Sequence, residues 1–407
     1  MAKPAGPACN LGCTYCYYLH KKQLFPDDES WRMSNTTLER FIRQYIQCQP
    51  GPVINFSWQG GEPTLLDIGF FQKAFHFQKL YCPPTKQIIN DFQTNGMLLN
   101  DQWCRFFREN YVLVGLSIDG PADLHNYYRK DRKGQPTFDK VVRAVHLLKK
   151  HGVEFNILTV LNNQNAKHPL RVYRYFRDEL NVQYLQFIPC VEPRVYTTIA
   201  PQEWDKACMP NFGEMRARPG FPDSVVTEWS VDPDDYGNFL ITVFDEWVRR
   251  DVGKVFIGTF DTLLGLWMGL PSSSCYFSDI CGKALAIEHD GGVYSCDHYV
   301  YPAYYLGNIR EKTLDQMVMS EKQIQFGLNK EDTLPQYCKQ CSVQFACHGE
   351  CPKHRFVYAP DGEFGLNYLC SGLRKFLQHI DPWMRCMVGE IRAGRTADVV
   401  MKYANPA

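Results

Sequence analysis

The chain has 407 residues, 45% of them hydrophobic, with 44 basic side chains against 44 acidic ones. That length suits two or three domains with full cores. The zero balance gives no basic field for nucleic acid or an anionic membrane, and no apolar run reaches bilayer-spanning length, so neither is an expected partner.

In chain order, the first feature is Cys9-Asn10-Leu11-Gly12-Cys13-Thr14-Tyr15-Cys16, a C-x3-C-x2-C loop followed by the aromatic Tyr17. Thiolates select iron–sulfur clusters or zinc. Three thiolates leave one iron of a four-iron cube open. Zinc sites usually add a second cysteine pair or histidines, and here the next cysteine is Cys48 and the nearby histidine is His20.

Strand and helix signals then alternate. Met33-Ser34 opens a helix with Leu38, Phe41, Ile42, Tyr45 and Ile46 on one face. Val53 to Ser57 reads as a strand, Phe70 to Tyr81 as a helix, Gln87 to Phe92 as a strand and Asp101 to Asn110 as a helix. Val112 to Ile118 is a continuous apolar run of the kind buried in parallel sheets. A helix over Phe138 to Lys150, a strand over Phe155 to Leu161, a helix over Leu170 to Leu180 and a strand over Tyr184 to Ile188 follow. Repeated βα units predict an α/β fold, a parallel sheet with helices outside. Six units fit a partial (β/α)6 barrel of TIM type, whose chemistry gathers at the C-terminal strand ends.

Polar turns stand at those ends. Gln59-Gly60-Gly61-Glu62-Pro63 follows the strand ending at Trp58; its glycines allow close backbone approach to a ligand, or simply build a βα turn. Thr94-Asn95-Gly96 and Ser117-Ile118-Asp119-Gly120 follow the next two strands.

Seventeen cysteines are spread unevenly: eight precede residue 275 and eight more lie between Cys275 and Cys370. With no signal peptide after Met1-Ala2-Lys3-Pro4, the expectation is a reducing cytoplasm and metal ligands rather than disulfides. Cys275, Cys281 and Cys296 are followed by Cys338-x2-Cys341-x5-Cys347-x3-Cys351 and a lone Cys370. Cys48, Cys82, Cys104, Cys190, Cys208 and Cys386 read as ordinary thiols. The shift in cysteine density divides the chain into a barrel over 1–230, linking helices over 231–270, a cysteine-rich domain over 271–375 and a helical segment over 376–407.

The N-terminal loop resembles the signature of radical S-adenosylmethionine (SAM) enzymes, and the C-terminal set resembles the SPASM extension of peptide-modifying members. Over nearly its whole length the chain resembles the anaerobic sulfatase-maturating enzymes, most specifically at Cys9 to Tyr18, Trp58 to Pro63, Gln93 to Gly96, Val114 to Pro121, Cys296-Asp297-His298, Leu306 to Ile309, Cys347 to His354 and Asn367 to Cys370. The stretch before Cys9 is shorter than in relatives, which leaves the pairing of the first strand open.

The resemblance implies a radical SAM barrel with a C-terminal SPASM domain, three [4Fe-4S] clusters and SAM. Cys9, Cys13 and Cys16 would hold the SAM cluster; Cys275, Cys281, Cys296 and Cys351 the first auxiliary cluster; Cys338, Cys341, Cys347 and Cys370 the second. Tyr15, Gly60, Gly61, Glu62, Ser117 and Arg129 would contact SAM, the last as a bidentate partner for its carboxylate. Tyr18 and Gln59 would orient the substrate, and Asp297 would be the base. The implied reaction oxidises an active-site cysteine or serine of a sulfatase, met as an unfolded or nascent segment, to formylglycine. A flavodoxin or ferredoxin would supply electrons to a monomeric enzyme. The alternatives are another SPASM peptide maturase, such as one forming thioether crosslinks, and a zinc-binding structural module.

Overall fold

The computed structural model describes residues 1–25 and 30–405. The chain forms two compact units: residues 1–117, 128–156 and 282–328 make the first, and residues 118–127, 157–281 and 329–407 the second. The strands are β1 (Ala2–Lys3), β2 (Val53–Trp58), β3 (Gln87–Thr94), β4 (Leu113–Ser117), β5 (Phe155–Leu161), β6 (Tyr184–Pro189), β7 (Phe256–Ile257), β8 (Ala286–Glu288), β9 (Gly292–Tyr294), β10 (Tyr305–Asn308), β11 (Arg355–Tyr358) and β12 (Phe364–Asn367).

In the first unit β1 to β4 are parallel neighbours, with Ala2 opposite Trp58, Val53 opposite Gln87 and Asp91 opposite Leu113. The two-residue β1 is paired on both edges. Its far side runs parallel to β8, Ala2 opposite Ile287 and Lys3 opposite Glu288, and β8, β9 and β10 continue antiparallel. The open question of the first strand is thus settled by a partner far along the chain.

The helices obey the sequence pattern. Ser34 caps the helix Asn35–Cys48 by accepting from the Thr37 amide, a contact that contributes about 1 kcal/mol. Leu38, Phe41, Ile42 and Ile46 are buried on one face, while Tyr45 is half-buried and donates to the Asn55 carbonyl. On β2, Ile54, Phe56 and Trp58 are buried. Trp58 meets Phe41 and Phe71 edge-on at centroid distances of 6.2 and 5.7 Å, the geometry aromatic quadrupoles favour.

A strand alternates its faces, so the other side of β2 to β4 carries polar groups. There Ser57 Oγ donates to Asp91 Oδ1 at 2.5 Å and Gln93 Nε2 donates to Ser117 Oγ at 2.9 Å. This apolar-out, polar-in division puts a helix-packed core on one face and a reactive lining on the other.

In the second unit β5, β6 and β7 are parallel, with Ile157 opposite Leu185 and Tyr184 opposite Phe256; β11 and β12 form an antiparallel pair. The helix expected over 170–180 is α-helical over Pro169–Arg174 and widens to a π-turn over Tyr175–Glu179. One carboxylate spans the junction: Asp251 Oδ2 accepts from Tyr173 Oη at 2.7 Å and from Arg177 Nη1 at 2.8 Å.

Candidate functional site

The cysteine loop is clasped from two sides. On one side, Gly12 and Thr14 donate their amides to the carbonyls of Lys130 and Tyr128 at 2.9 and 3.2 Å, and Arg132 Nε donates to the Cys9 carbonyl at 2.6 Å. On the other, the Gly61 and Glu62 amides donate to Gly6 and Ala8 carbonyls, both at 2.8 Å. A Cβ on Gly61 would stand 1.9 Å from the Ala8 oxygen. Gly61 is therefore required by the approach of the cysteine-loop backbone itself, before any ligand is considered. Gly60 beside it has φ +126°, a conformation glycine reaches freely.

Glu62 is fully buried, and its oxygens are occupied. Oε1 accepts from the Thr64 amide, the Thr64 hydroxyl and the Thr94 hydroxyl, and Oε2 accepts from the Asn95 amide at 2.8 Å. Burial pushes its pKa up against those four donors. Asn95 then reaches the cysteine loop, its Nδ2 donating to Asn10 Oδ1 at 2.7 Å with Cys9 Sγ at 3.7 Å. Glu62 thus couples the turn after β3 to the loop after β1.

Tyr15 is buried, edge-on to Tyr128 at 5.9 Å, and the Arg129 guanidinium carbon lies 5.7 Å from its ring centre. Arg129 is itself only 6% exposed, so it is no solvated loop charge. Ser117 ends β4 and is held by Gln93. Gln59 continues β2, its amide donating to the Ala2 carbonyl at 2.8 Å and its side chain to Ser57 Oγ at 3.3 Å.

Asp297 lies in this same unit. Its Oδ1 forms an ion pair with Lys3 Nζ and its Oδ2 accepts from the Tyr17 hydroxyl. Burial alone would raise its pKa, but the Lys3 ammonium, helped by His298 and both hydrogen bonds, holds the carboxyl well below the usual range. It is an ionised acceptor. Lys3 also sits 3.9 Å above the Tyr18 ring, and Tyr18 Oη donates to both oxygens of buried Glu288 at 2.5 and 2.7 Å. Burial and the facing carboxylates push both phenols up, so both act as donors. Sequence reasoning named Tyr18 and Asp297 but missed Lys3, Tyr17 and Glu288. Only the alternation of β1, which aims Lys3 toward the site, could have hinted at the first.

The second unit gathers Cys338, Cys341, Cys347 and Cys370 around one cleft of about 430 Å³, also lined by Leu366 and Leu373. The Cys347–Cys351 spacer is a left-handed turn: His348, Gly349 and Glu350 all have positive φ. Arg355 holds that strained turn, donating to the His348 and Gly349 carbonyls at 2.7 and 3.0 Å. Cys275, Cys281 and Cys351 belong to this unit, whereas Cys296 belongs to the first, where Gln323 Nε2 donates to the carbonyl of its neighbour Ser295 at 3.1 Å.

Every proposed donor is a cysteine thiol, the ligand type that iron–sulfur clusters take. Burial pushes the Cys9 and Cys347 thiols up to about 12 and Cys338 up to about 11, and it raises Cys16 and Cys370 as well. Such thiols lose their protons when a metal replaces them.

Comparison with known proteins places the chain in a class. The family model of the radical SAM superfamily matches residues 4–176, and that of the SPASM iron–sulfur cluster-binding domain matches residues 275–342. The protein is a radical SAM enzyme with an α/β radical SAM domain and a SPASM domain. The serine-type anaerobic sulfatase-maturating enzyme of Bacteroides thetaiotaomicron is 45% identical over 402 residues, 99% of this chain and 94% of that one. The cysteine-type enzyme of Clostridium perfringens is 34% identical over 385 residues, 94% and 96% of the two chains. The solved structure of native anSMEcpe with bound AdoMet and Kp18Cys peptide superposes with a TM-score of 0.80 at 34% identity, covering 95% of this chain and 98% of that one. The chain belongs to the anaerobic sulfatase-maturating enzymes.

Proposed function

We propose that this enzyme oxidises the side chain of a cysteine or serine in a sulfatase polypeptide to Cα-formylglycine. When bound, the SAM cluster and SAM supply a 5′-deoxyadenosyl radical that removes one Cβ hydrogen atom. The protein's residues do the rest. The observation that carries the reading is Asp297, an ionised carboxylate tied by Tyr17 to the cysteine loop. A carboxylate offers about four lone-pair sites, and Lys3 and Tyr17 use two. The remaining sites accept the hydroxyl or thiol proton. A carbon radical next to that group acidifies it, so a weakly basic carboxylate suffices. One hydrogen atom, one proton and one electron leave in total; serine gives the aldehyde directly, and cysteine gives a thioaldehyde that water hydrolyses.

Within this reading Cys9, Cys13 and Cys16 hold the SAM cluster, with Tyr15, Ser117, Arg129 and the backbone of Gly60 and Gly61 around SAM. Glu62 positions that backbone through its bonds to Thr64, Thr94 and Asn95. Gln59 faces the target side chain, and Tyr18 acts through Glu288. Cys338, Cys341, Cys347 and Cys370 would hold one auxiliary cluster, and Cys275, Cys281, Cys296 and Cys351 the other; an auxiliary cluster would supply the acceptor for the substrate electron. A flavodoxin or ferredoxin as reductant, a monomeric state and a cytoplasmic site, where thiolate-bound iron survives, complete the proposal. Among the described residues no helix is long and apolar enough to cross a membrane.

The test is anaerobic incubation with SAM, reductant and sulfatase-derived peptides carrying cysteine or serine, followed by mass spectrometry. The expected product is the peptide aldehyde. A crosslinked peptide with no aldehyde would move the chain to the thioether-forming maturases.

A further inference from the structure

Lys330 is fully buried, at 0% exposure, on the helix Glu321–Asp332. Its Nζ donates to the carbonyls of Cys275 at 2.7 Å and Tyr276 at 2.9 Å, and also to that of Ser278. A neutral amine has two N–H bonds; three acceptors therefore call for the ammonium. No carboxylate pairs with it among the described residues. The acid closest in kind, Glu350, is spent on His354 at 2.7 Å and Asn367 at 2.8 Å. Arg355 adds a second cation, donating from Nη1 to the Lys330 carbonyl. The charges that bear on Lys330 include the sulfurs of Cys351 and Cys281 and, after them, the Glu350 carboxylate.

A buried cation with no carboxylate in direct contact is costly, and all three of its acceptors lie in the loop between Cys275 and Cys281. An anionic cluster on these cysteines supplies the missing charge.

We propose that Lys330 is a positioning residue for the auxiliary cluster of Cys275, Cys281 and Cys351. Its ammonium pins the ligand loop and, by stabilising the more negative reduced state, raises that cluster's potential so that it accepts the substrate electron. Cluster potentials follow local charge and hydrogen bonding, and this charge sits at the ligand loop itself. The inference rests on the assignment of these cysteines to a cluster, which iron analysis of the otherwise unaltered protein tests separately.

The experiment is an anaerobic redox titration followed by electron paramagnetic resonance, in a full-length Cys9→Ala, Cys13→Ala, Cys16→Ala background so that auxiliary signals stand alone. Lys330→Met and Lys330→Gln remove the charge; Lys330→Arg keeps it. In both uncharged variants one of the two midpoints should fall by tenfold or more in the reduced-to-oxidised ratio, at least 59 mV for a one-electron couple. The other midpoint should stay, and Lys330→Arg should track the parent. Loss of one cluster's iron in both uncharged variants but not in Lys330→Arg also supports the role, since charge alone separates them. Unshifted midpoints at full iron content, or equal effects in all three variants, overturn it.

Discussion

The Tyr17 hydroxyl donates to Oδ2 of Asp297, 280 residues further along the chain. It ties the aromatic next to Cys16 to the carboxylate next to Cys296. The contact gives Asp297 a fixed place beside the cysteine loop and leaves lone pairs for a substrate proton. Asp297→Asn keeps the shape but cannot take the proton, and loss of a positioned base typically costs about 10²–10⁴ in rate. SAM cleavage comes earlier and uses other groups. The variant should therefore form 5′-deoxyadenosine with little formylglycine, at unchanged iron content. Wild-type proportions of the two products would remove Asp297 from the mechanism.

Lys3 is the buried partner of the same carboxylate, its side chain 2% exposed. Lys3→Met leaves Asp297 with the Tyr17 hydrogen bond and the nearby His298. Breaking a buried pair on one side costs about 3–5 kcal/mol, and the hydrogen bond that remains puts the expectation near the lower figure. A lowered denaturation midpoint of the cluster-loaded protein is the readout, with Lys3→Arg expected to recover part of the loss.

Anaerobically prepared protein should contain about twelve irons, from three four-iron clusters. Replacing Cys9, Cys13 and Cys16 together by alanine should leave roughly eight and abolish SAM cleavage, because the eight cysteines proposed for the two auxiliary clusters all lie outside that loop. Twelve irons in the triple variant would show that the loop holds none.

Gly61→Ala drives a Cβ to 1.9 Å from the Ala8 carbonyl oxygen, a backbone atom that cannot swing aside. The turn after β2 and the cysteine loop must then part. Overpacking of this kind costs about 1–3 kcal/mol, all of it at the junction between that turn and the cysteine loop. The expected result is loss of SAM-dependent cleavage with auxiliary iron retained; normal cleavage by the alanine variant would mean the loop shifts freely.

Tyr18→Phe removes the donor from Glu288, which is 0% exposed. Stranding a buried acceptor costs about 1–3 kcal/mol, so the melting temperature should drop while 5′-deoxyadenosine is still made. If stability is unchanged and only peptide oxidation fails, Tyr18 touches the substrate rather than supporting the wall around it.

Much of this was legible in sequence because it is local. The βα rhythm follows from hydrophobic period: every strand from β2 to β6 lies where the pattern puts it, within a few residues, as do the longer helices between them, whereas the short helix Ala122–Tyr128 after β4 was not foreseen. The soft-ligand loop Cys9 to Cys16 and the spaced C-terminal cysteines announce metal chemistry because thiolates at such spacings have few other uses. The π-turn at Tyr175–Glu179 was not legible, since hydrophobic period does not distinguish it from the α-helix it continues.

The sequence by itself therefore determined the βα fold, the soft-metal chemistry and the family. The tertiary structure alone decided how the parts meet. A two-residue β1 finds β8, which brings Lys3 opposite Glu288 and the whole Lys3–Tyr17–Asp297 group together. It also made Gly61 and Glu62 the joint between two loops, and it set an ammonium among the carbonyls of a cysteine loop. The physical reason is common to all three. Parallel pairing, buried ion pairs and close backbone approach join residues far apart in the chain, and no periodicity along the chain encodes which distant partner will be there.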